Sequence, residues 1–548
     1  MPTRPRRSYL VGLLFAAGLA GLSLLAFAVL HRGGDDPGTT VAGNTTLPSS
    51  TTSSGASTST GGTTSTVPGT SSSSTTSTTL PPHPWVDRRS VGQPWGESVS
   101  GLLTFRGNPT NTFYGTGPIP DTPAILWRYP DAPMCAQTTD LGGTTTWCGN
   151  GWTGQPVIWE RPDGVVELMF GGYDRRFHFV DAATGEDTRA PIVTGDLVKG
   201  TPTLDPDGYP LVYFGSRDNR LRIVALDRGE AVELWSAVAD LSVEGRWNDD
   251  WDGAPRIVND ILFEGCENSI FYAWKLNRSY DEDGLVTVDP VLLFQMDSWD
   301  DELMAALAPS QWIGSRWEST SIEDSVAIFE GRLYFGSSAG RIIGLDITNI
   351  EQGEAPVVFD YWVGDDTDAS IVIDEEGMLY VSAEVKRYLP RGEELGQLIK
   401  LDPYRPDDPY VWGVYSLVPS PYWGGFLATP ALGDGVLYAV SNKGFLTVVD
   451  RETGEELWHD DIGSGQFAHG VHMSSPVVVD GHLLLALASG HLRSYDLSDP
   501  RAPVLEWELK VGEGTIEATP AVWDGVIYLA TASYSAPLTE GYQYAIAE

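Results

Sequence analysis

The chain has 548 residues and a formal net charge of -40, from 34 basic and 74 acidic side chains. A surface of that sign repels phosphate backbones, so no nucleic acid is expected as a partner. The 61 glycines and 19 tryptophans suit a large all-β molecule of short strands and frequent turns, and three cysteines without a Cys-x-x-Cys pair exclude a zinc ribbon or covalently attached haem.

Taken from the N-terminus, Tyr9–Leu30 (YLVGLLFAAGLAGLSLLAFAVL) carries no charge and is long enough to span a bilayer as a helix. Arg4, Arg6 and Arg7 precede it, and no acidic residue occurs before Asp35. Basic flanks stay inside, so residues 1–8 are expected in the cytoplasm, residues 9–30 as a signal anchor in the cell membrane, and the remainder on the extracytoplasmic side. The alternative is a secreted product cut after Ala26-Phe27-Ala28. Arg6-Arg7-Ser8-Tyr9-Leu10 has the form of a twin-arginine export signal, or is simply the basic flank of the anchor.

Residues 31–84 are Ser, Thr, Gly and Pro with almost nothing apolar, and cannot bury a core. As a flexible coil they form a tether about 40 Å long on average. Residues 85–548 then form the folded domain. Its first unusual stretch is Ser98–Pro118, SVSGLLTFRGNPTNTFYGTGP. Its glycines, asparagines and prolines fit an ordered loop wrapping the domain or an arm reaching for a partner, and both readings stand. Cys135 and Cys148 bracket a Gly/Thr-rich loop and are expected as a disulfide, which an outside location permits. Cys266 sits in the strand-like ILFEGCENSIFYAW and is expected as an inert core thiol.

A repeat follows. Thr429–Asp461, TPALGDGVLYAVSNKGFLTVVDRETGEELWHDD, divides at Gly433-Asp434-Gly435, Asn442-Lys443-Gly444 and Asp450–Gly454 into four short strands. Similar patterns recur at Thr201–Trp235, Val326–Asp346 and Ser475–Trp507, with weaker copies elsewhere. Aligned on Pro156, Pro202, Pro255, Val326, Ile371, Pro430, Pro476 and Pro520, eight copies recur at a mean spacing of about 52 residues. Four strands at that period predict an eight-bladed β-propeller of four-stranded antiparallel blades. The last copy stops short of its fourth strand, and Ala124–Pro130 (AILWRYP) is expected to supply it and close the ring. A closed ring is expected to be monomeric. Asn277–Ser315 reads as an insertion between the third and fourth copies, with a short helix at ELMAALA.

The recurring A-x-D-x-x-T-G-x-x-x-W pattern, clearest in Val448–Trp458 (VVDRETGEELW), resembles the tryptophan-docking repeat of PQQ-like propellers. That family includes quinoproteins and an outer-membrane assembly lipoprotein. An element found once per blade is scaffold: the Asp caps a turn, the Gly takes positive φ, and the Trp fills space between blades. The resemblance to quinoprotein dehydrogenases implies a pyrroloquinoline quinone held against a vicinal Cys-Cys disulfide, with a Glu and an Asn around calcium and an Asp as base. This sequence has no adjacent cysteines and no matching Glu/Asn/Asp set, so neither the quinone nor catalytic residues carry over. The lipoprotein's acylated cysteine is also missing from the N-terminal region.

Attention therefore falls on the loops that lead into each blade, because they do not repeat. They carry Asn248, Asp249, Asp250 and Asp252; Trp317, Glu318 and Asp324; Asp366 and Asp368; Trp423; His469 and His472; and Glu517. In a propeller these converge on one mouth of the central channel. They make a candidate site for a cation, with calcium on Asp250, Asp252, Asp366 and Asp368, or for an amine- or sugar-type ligand stacked on Trp. The alternative is a set of solvated acidic loops. The function expected is a membrane-tethered, extracytoplasmic binding or scaffold module, whose partner would be a cell-envelope protein or glycan. A quinone- or metal-dependent oxidoreductase is the alternative.

Overall fold

The computed structural model describes residues 84–96, 98–140, 143–239, 248–310, 318–416, 424–463, 471–534 and 538–548. The chain divides into two units, Met1–Thr78 and Thr79–Glu548. The expected anchor and nearly all of the tether lie outside the described residues. Among the described residues, no helix is long and apolar enough to cross a membrane.

The second unit is an all-β, eight-bladed propeller. Its inner strands are Val157–Glu160, Thr203–Leu204, Arg256–Val258, Ala327–Phe329, Val372–Ile373, Ala431–Leu432, Val477–Val479 and Ala521–Trp523, which define blades 1 to 8 in order. Each begins immediately after one of the eight aligned positions of the sequence repeat. In blade 6 the remaining strands are Val436–Val440, Phe445–Asp450 and Glu456–Asp461, paired antiparallel with Tyr438 opposite Val448 and Val448 opposite Trp458. Second strands such as Val436–Val440 and Leu211–Ser216 are buried at every position because blades stack on both of their faces. Outer strands expose every other side chain or more, as in Val504–Lys510.

Ring closure follows the expectation. Ala124–Tyr129 pairs with Gln543–Ala547, placing Ile125 opposite Ile546 and Tyr129 opposite Gln543. Two exposed sheet edges are thereby removed. Asn277–Ser315 differs from expectation. It is not a pure insertion, since Val291–Asp297 within it pairs with Ile270–Lys275 as the outer strand of blade 3. The added parts are a small hairpin, Ser279–Tyr280 with Val286–Thr287, and a helix over Asp301–Leu307. Asp300 caps that helix by accepting from the Leu303 amide.

The docking motif is structural in the way its residue types imply. Asp450 Oδ1 accepts from the amides of Glu452 and Thr453 at 3.1 and 3.0 Å. Gly454 takes φ +74° and donates to the Asp450 carbonyl. A Cβ on Gly454 would lie 2.7 Å from Cγ of Trp412, the outer-strand tryptophan of blade 5. Trp412 Nε1 donates to the Arg451 carbonyl at 3.2 Å. The bare face of the turn on one blade is thus the seat for the indole of the blade before it. Blade 8 docks on blade 1 in the same manner, with Trp127 against Gly185 and its Nε1 donating to the Ala182 carbonyl.

Ser98–Pro118 is neither an outer wrapping nor a partner arm. Residues 101–114 are all buried, and the segment crosses the propeller axis while bonding to all eight blades at or just ahead of their inner strands. Gly101 and Leu102 pair with Trp159 and Ile158 of blade 1. The Leu103, Pro109 and Thr110 carbonyls accept from Leu204, Ile328 and Ile373 of blades 2, 4 and 5. Arg256 of blade 3 donates to the Phe105 carbonyl at 3.1 Å. The Tyr114 hydroxyl accepts from the Leu432 amide of blade 6. Arg106 donates to the carbonyls of Pro430 and Pro476, both at 2.5 Å, joining blades 6 and 7. The Thr116 amide bonds to the Val522 carbonyl of blade 8. Backbone groups that line an open channel elsewhere are here satisfied by the segment.

Candidate functional site

The plug defines the site. Its contacts reach the carbonyls of Pro430 and Pro476, one residue before the inner strands, so the channel is filled at that level. Directly beyond lies a ring formed by the residue four positions ahead of each inner strand. Blades 2 to 5 contribute Lys199, Asp252, Glu323 and Asp368, and blade 8 contributes Glu517. Blades 6 and 7 contribute Leu427 and Met473, and blade 1 contributes Thr153. One arc of the mouth is charged and the other apolar.

On the charged arc, the incoming loops meet the loops joining second to third strands. Blades 3 and 5 repeat one arrangement. Asp250 and Asp252 combine with Glu267, and Asp366 and Asp368 combine with Glu384, each set drawing its ligand atoms within 4.8 Å of one another. In both, the two aspartates stand six and four residues ahead of the inner strand, and the glutamate stands two residues past the second strand. Each triad surrounds a lysine. Lys199 Nζ lies 3.3, 2.5 and 3.1 Å from Asp250, Asp252 and Glu267. Lys386 Nζ lies 2.8, 3.2 and 2.6 Å from Asp366, Asp368 and Glu384. Lys199 comes from the neighbouring blade's incoming loop, and Lys386 from the same loop as its glutamate. Arg217 adds a contact of 2.6 Å to Asp250. Burial works against both ammoniums, but the carboxylates outweigh it and hold both lysines well above their ordinary pKa. The same burial pushes Asp250, Glu267 and Glu384 up to about 7.

Glu323 stands between the triads on blade 4. Its Oε1 accepts from the Ser321 and Ser338 hydroxyls at 2.7 and 3.2 Å. Among the described residues no cation lies within ion-pair distance of it. Burial, then repulsion from Asp368, Glu267 and Asp252, raises its pKa well above the glutamate value. Behind it, Asp324 spends Oδ2 on the Gly336 amide, and its Oδ1 lacks a hydrogen bond. Glu264, 1% exposed, also has an Oε1 without a hydrogen bond. Across the mouth Glu517 accepts from the hydroxyls of Tyr534 and Thr515, and burial lifts it to about 7.

The other arc gathers Leu427, Val471 and Met473, with half-buried Trp152 of blade 1 packed against them. Trp152 also stacks on Trp147, with centroids 5.7 Å apart, and lies 5.9 Å from Lys199 Nζ. Trp147 is carried on the hairpin Cys135–Asp140 with Gly143–Cys148, whose base is joined by the Cys135–Cys148 disulfide. The Cys148 amide bonds to the Ser533 carbonyl and so holds the hairpin to blade 8. Free Cys266 is buried, and its Sγ donates to the Asp250 carbonyl.

Of the residues singled out from sequence, the structure places Asp250, Asp252, Asp324, Asp366, Asp368 and Glu517 at this mouth. Asn248, Asp249 and Glu318 are half-buried and belong to neither triad. His472 is buried; its Nδ1 accepts from the Ala488 amide at 3.5 Å, and burial lowers it to about 4. Among the described residues no carboxylate lies within ion-pair reach of it. Trp317, Trp423 and His469 lie outside the described residues. Lys199, Arg217, Glu267, Glu384 and Lys386 escaped sequence reasoning. Only the matching distance of Glu267 and Glu384 from their second strands could have signalled two of them.

The mouth does not fit pyrroloquinoline quinone. That cofactor is a tricarboxylate, and this arc presents more carboxyls than cations. The expected calcium ligands Asp250, Asp252, Asp366 and Asp368 do converge, but in two pairs, each already holding an ammonium at its centre.

Residues 420–541 match the family model described as "Outer membrane protein assembly factor BamB". Comparison with curated proteins found no match. Among solved structures, quinohemoprotein alcohol dehydrogenase from Comamonas testosteroni is similar with 14% identity and a TM-score of 0.50, over 82% of this chain and 80% of that one. The computationally designed Ika8 protein shares 12% identity with a TM-score of 0.45, over 70% of this chain and 93% of that one. BamB from Moraxella catarrhalis shares 11% identity with a TM-score of 0.36, over 78% of this chain and all of that one. At these identities the likeness is one of fold. The tryptophan-docking repeat, the ring of eight blades and the match over residues 420–541 make this chain similar to PQQ-like β-propellers: it resembles BamB over the matched residues and the quinoprotein dehydrogenase in fold.

Proposed function

We propose that this chain is an extracytoplasmic binding module, held at the cell membrane by residues 9–30 and spaced from it by residues 31–84. Its ligand docks at the mouth that the plug closes from behind. The observation that carries this reading is the concentration of chemically distinct groups, shared only between the triads of blades 3 and 5, on one end of an otherwise repetitive ring whose channel is closed just behind them. A surface built that way offers recognition but no through-passage. The match of residues 420–541 to an outer-membrane assembly factor supports a partner in the cell envelope.

An oxidoreductase role finds less support, because each carboxylate triad seats a lysine. The purified full-length chain should be mixed with pyrroloquinoline quinone, with and without calcium, and assayed for dye reduction over a panel of alcohols and sugars. The binding reading expects no reduction. Sustained, calcium-dependent dye reduction would replace it with the dehydrogenase reading.

A further inference from the structure

The triad of blade 3 brings together an amine, a carboxyl group it can join, and a third group able to move protons between them. Lys199 Nζ donates to Glu267 Oε1 at 3.1 Å. It lies closer still to Asp252, 2.5 Å from Oδ2. Yet among the described residues neither oxygen of Asp252 accepts a hydrogen bond from an N–H or a hydroxyl. So short a separation is below the usual N–H···O range, and a buried carboxylate left without hydrogen bonds is costly. Glu267 is also within hydrogen-bonding reach of Asp252.

The backbone fixes this encounter. Lys199 stands on the incoming loop of blade 2 and Asp252 on that of blade 3. Gly200, the next residue, packs so closely that a Cβ there would collide with the Asp252 carbonyl oxygen. The side chains of Lys199, Asp252 and Glu267 are 7, 4 and 5% exposed, so bulk water is held off all three. Groups fixed in this way react at high effective concentration, and exclusion of water favours a condensation that water would reverse. The triad of blade 5 differs. Asp368 accepts from Ser338 Oγ and Glu384 from Asn442 Nδ2, each at 2.8 Å, which stabilises both as carboxylates.

We infer that Lys199 and Asp252 join in an intramolecular amide, with Glu267 as the catalytic proton carrier, tying the incoming loops of blades 2 and 3 together at the mouth. The step balances without a co-reactant. The Lys199 ammonium passes one proton to the Glu267 carboxylate, and the neutral Nζ attacks Cγ of Asp252 to form the C–N bond. Glu267 returns that proton to an Asp252 oxygen, and a second proton from the nitrogen follows by the same route. The Cγ–O bond breaks and the oxygen leaves as water. One ammonium and one carboxylate are consumed, and one amide and one water result. Burial pushes Glu267 up to about 7, which suits it to take and return a proton near neutral pH. The carboxylates around Lys199 favour its charged form, so the free amine is scarce, but the bond needs to form only once per molecule. Afterwards Asp250 keeps Arg217 as its counter-ion at 2.6 Å.

The test is tandem mass spectrometry of the purified full-length chain after reduction and trypsin digestion. The segments carrying Lys199 and Asp252 should appear as one branched species, lighter than their sum by one water. Trypsin should not cut after Lys199, and fragment ions should place the amide on Asp252. Glu267→Gln should lose most of the branched species, and Lys199→Arg all of it. Separate segments of full mass from the wild-type chain, with cleavage after Lys199, would overturn the inference, and that result does not depend on either variant folding. An amide placed on Asp250 or Glu267 would overturn the choice of partner. An undiminished amount in Glu267→Gln would overturn the role of Glu267.

Discussion

Lys386 is the residue on which the charged arc most depends. Its ammonium neutralises Asp366, Asp368 and Glu384 inside a buried set, and removing one partner from such a set leaves uncompensated charge. Lys386→Met keeps the volume of the side chain and should cost about 3–5 kcal/mol in urea unfolding at pH 8. The loss should shrink at pH 5. Burial already pushes Glu384 up to about 7 and Asp366 above the ordinary aspartate range. Without the lysine, both take up protons more readily as pH falls, which relieves the repulsion in the folded state. A loss that grows at pH 5 would contradict this picture. Little of it was legible in the sequence. Asp-x-Asp before blades 3 and 5 could be seen, but the lysines come from different loops and share no spacing, so only the fold brings them to the same place.

At the scale of elements, the repeat was almost wholly legible, because its residues answer to local geometry. In blade 6 an Asp that caps a turn, a Gly at positive φ and a Trp on the outer strand follow one another closely, at Asp450, Gly454 and Trp458. The eight aligned positions therefore fell directly before the inner strands. Gly454→Ala should be costly on two counts. It forces an L residue to φ +74° and drives a methyl group into the Trp412 ring. The expected loss is about 2–3 kcal/mol by thermal or chemical unfolding, whereas alanine at Gly435, which has a similar φ of +69° but open space, should cost about 1 kcal/mol. Equal losses would show that docking contributes nothing. The plug was not legible. Its Gly, Asn and Pro content speaks for a loop of any kind. What makes it a plug is a set of distant partners that meet only after the ring has closed: Arg106 and Asn111 reach the carbonyls of Pro430, Pro476 and Ile371 ahead of blades 6, 7 and 5, and Arg256 of blade 3 reaches back to the Phe105 carbonyl.

At the scale of the whole molecule, the propeller divides its surface into two kinds. The flanks repeat blade by blade and carry single exposed apolar residues such as Val193, which is 71% exposed. The mouth, apart from the matching triads of blades 3 and 5, differs from blade to blade, joins an acidic arc to an apolar one, and is closed behind by the plug. If the mouth is the recognition surface, partners must approach from that end. The direct measurement is photo-cross-linking in intact cells. A photoreactive amino acid replaces half-buried Trp152 at the mouth in one full-length variant and Val193 on the flank in another. Discrete cross-linked species from position 152 and none from position 193 are expected. Cross-links confined to position 193 would contradict the assignment of the mouth as the binding surface.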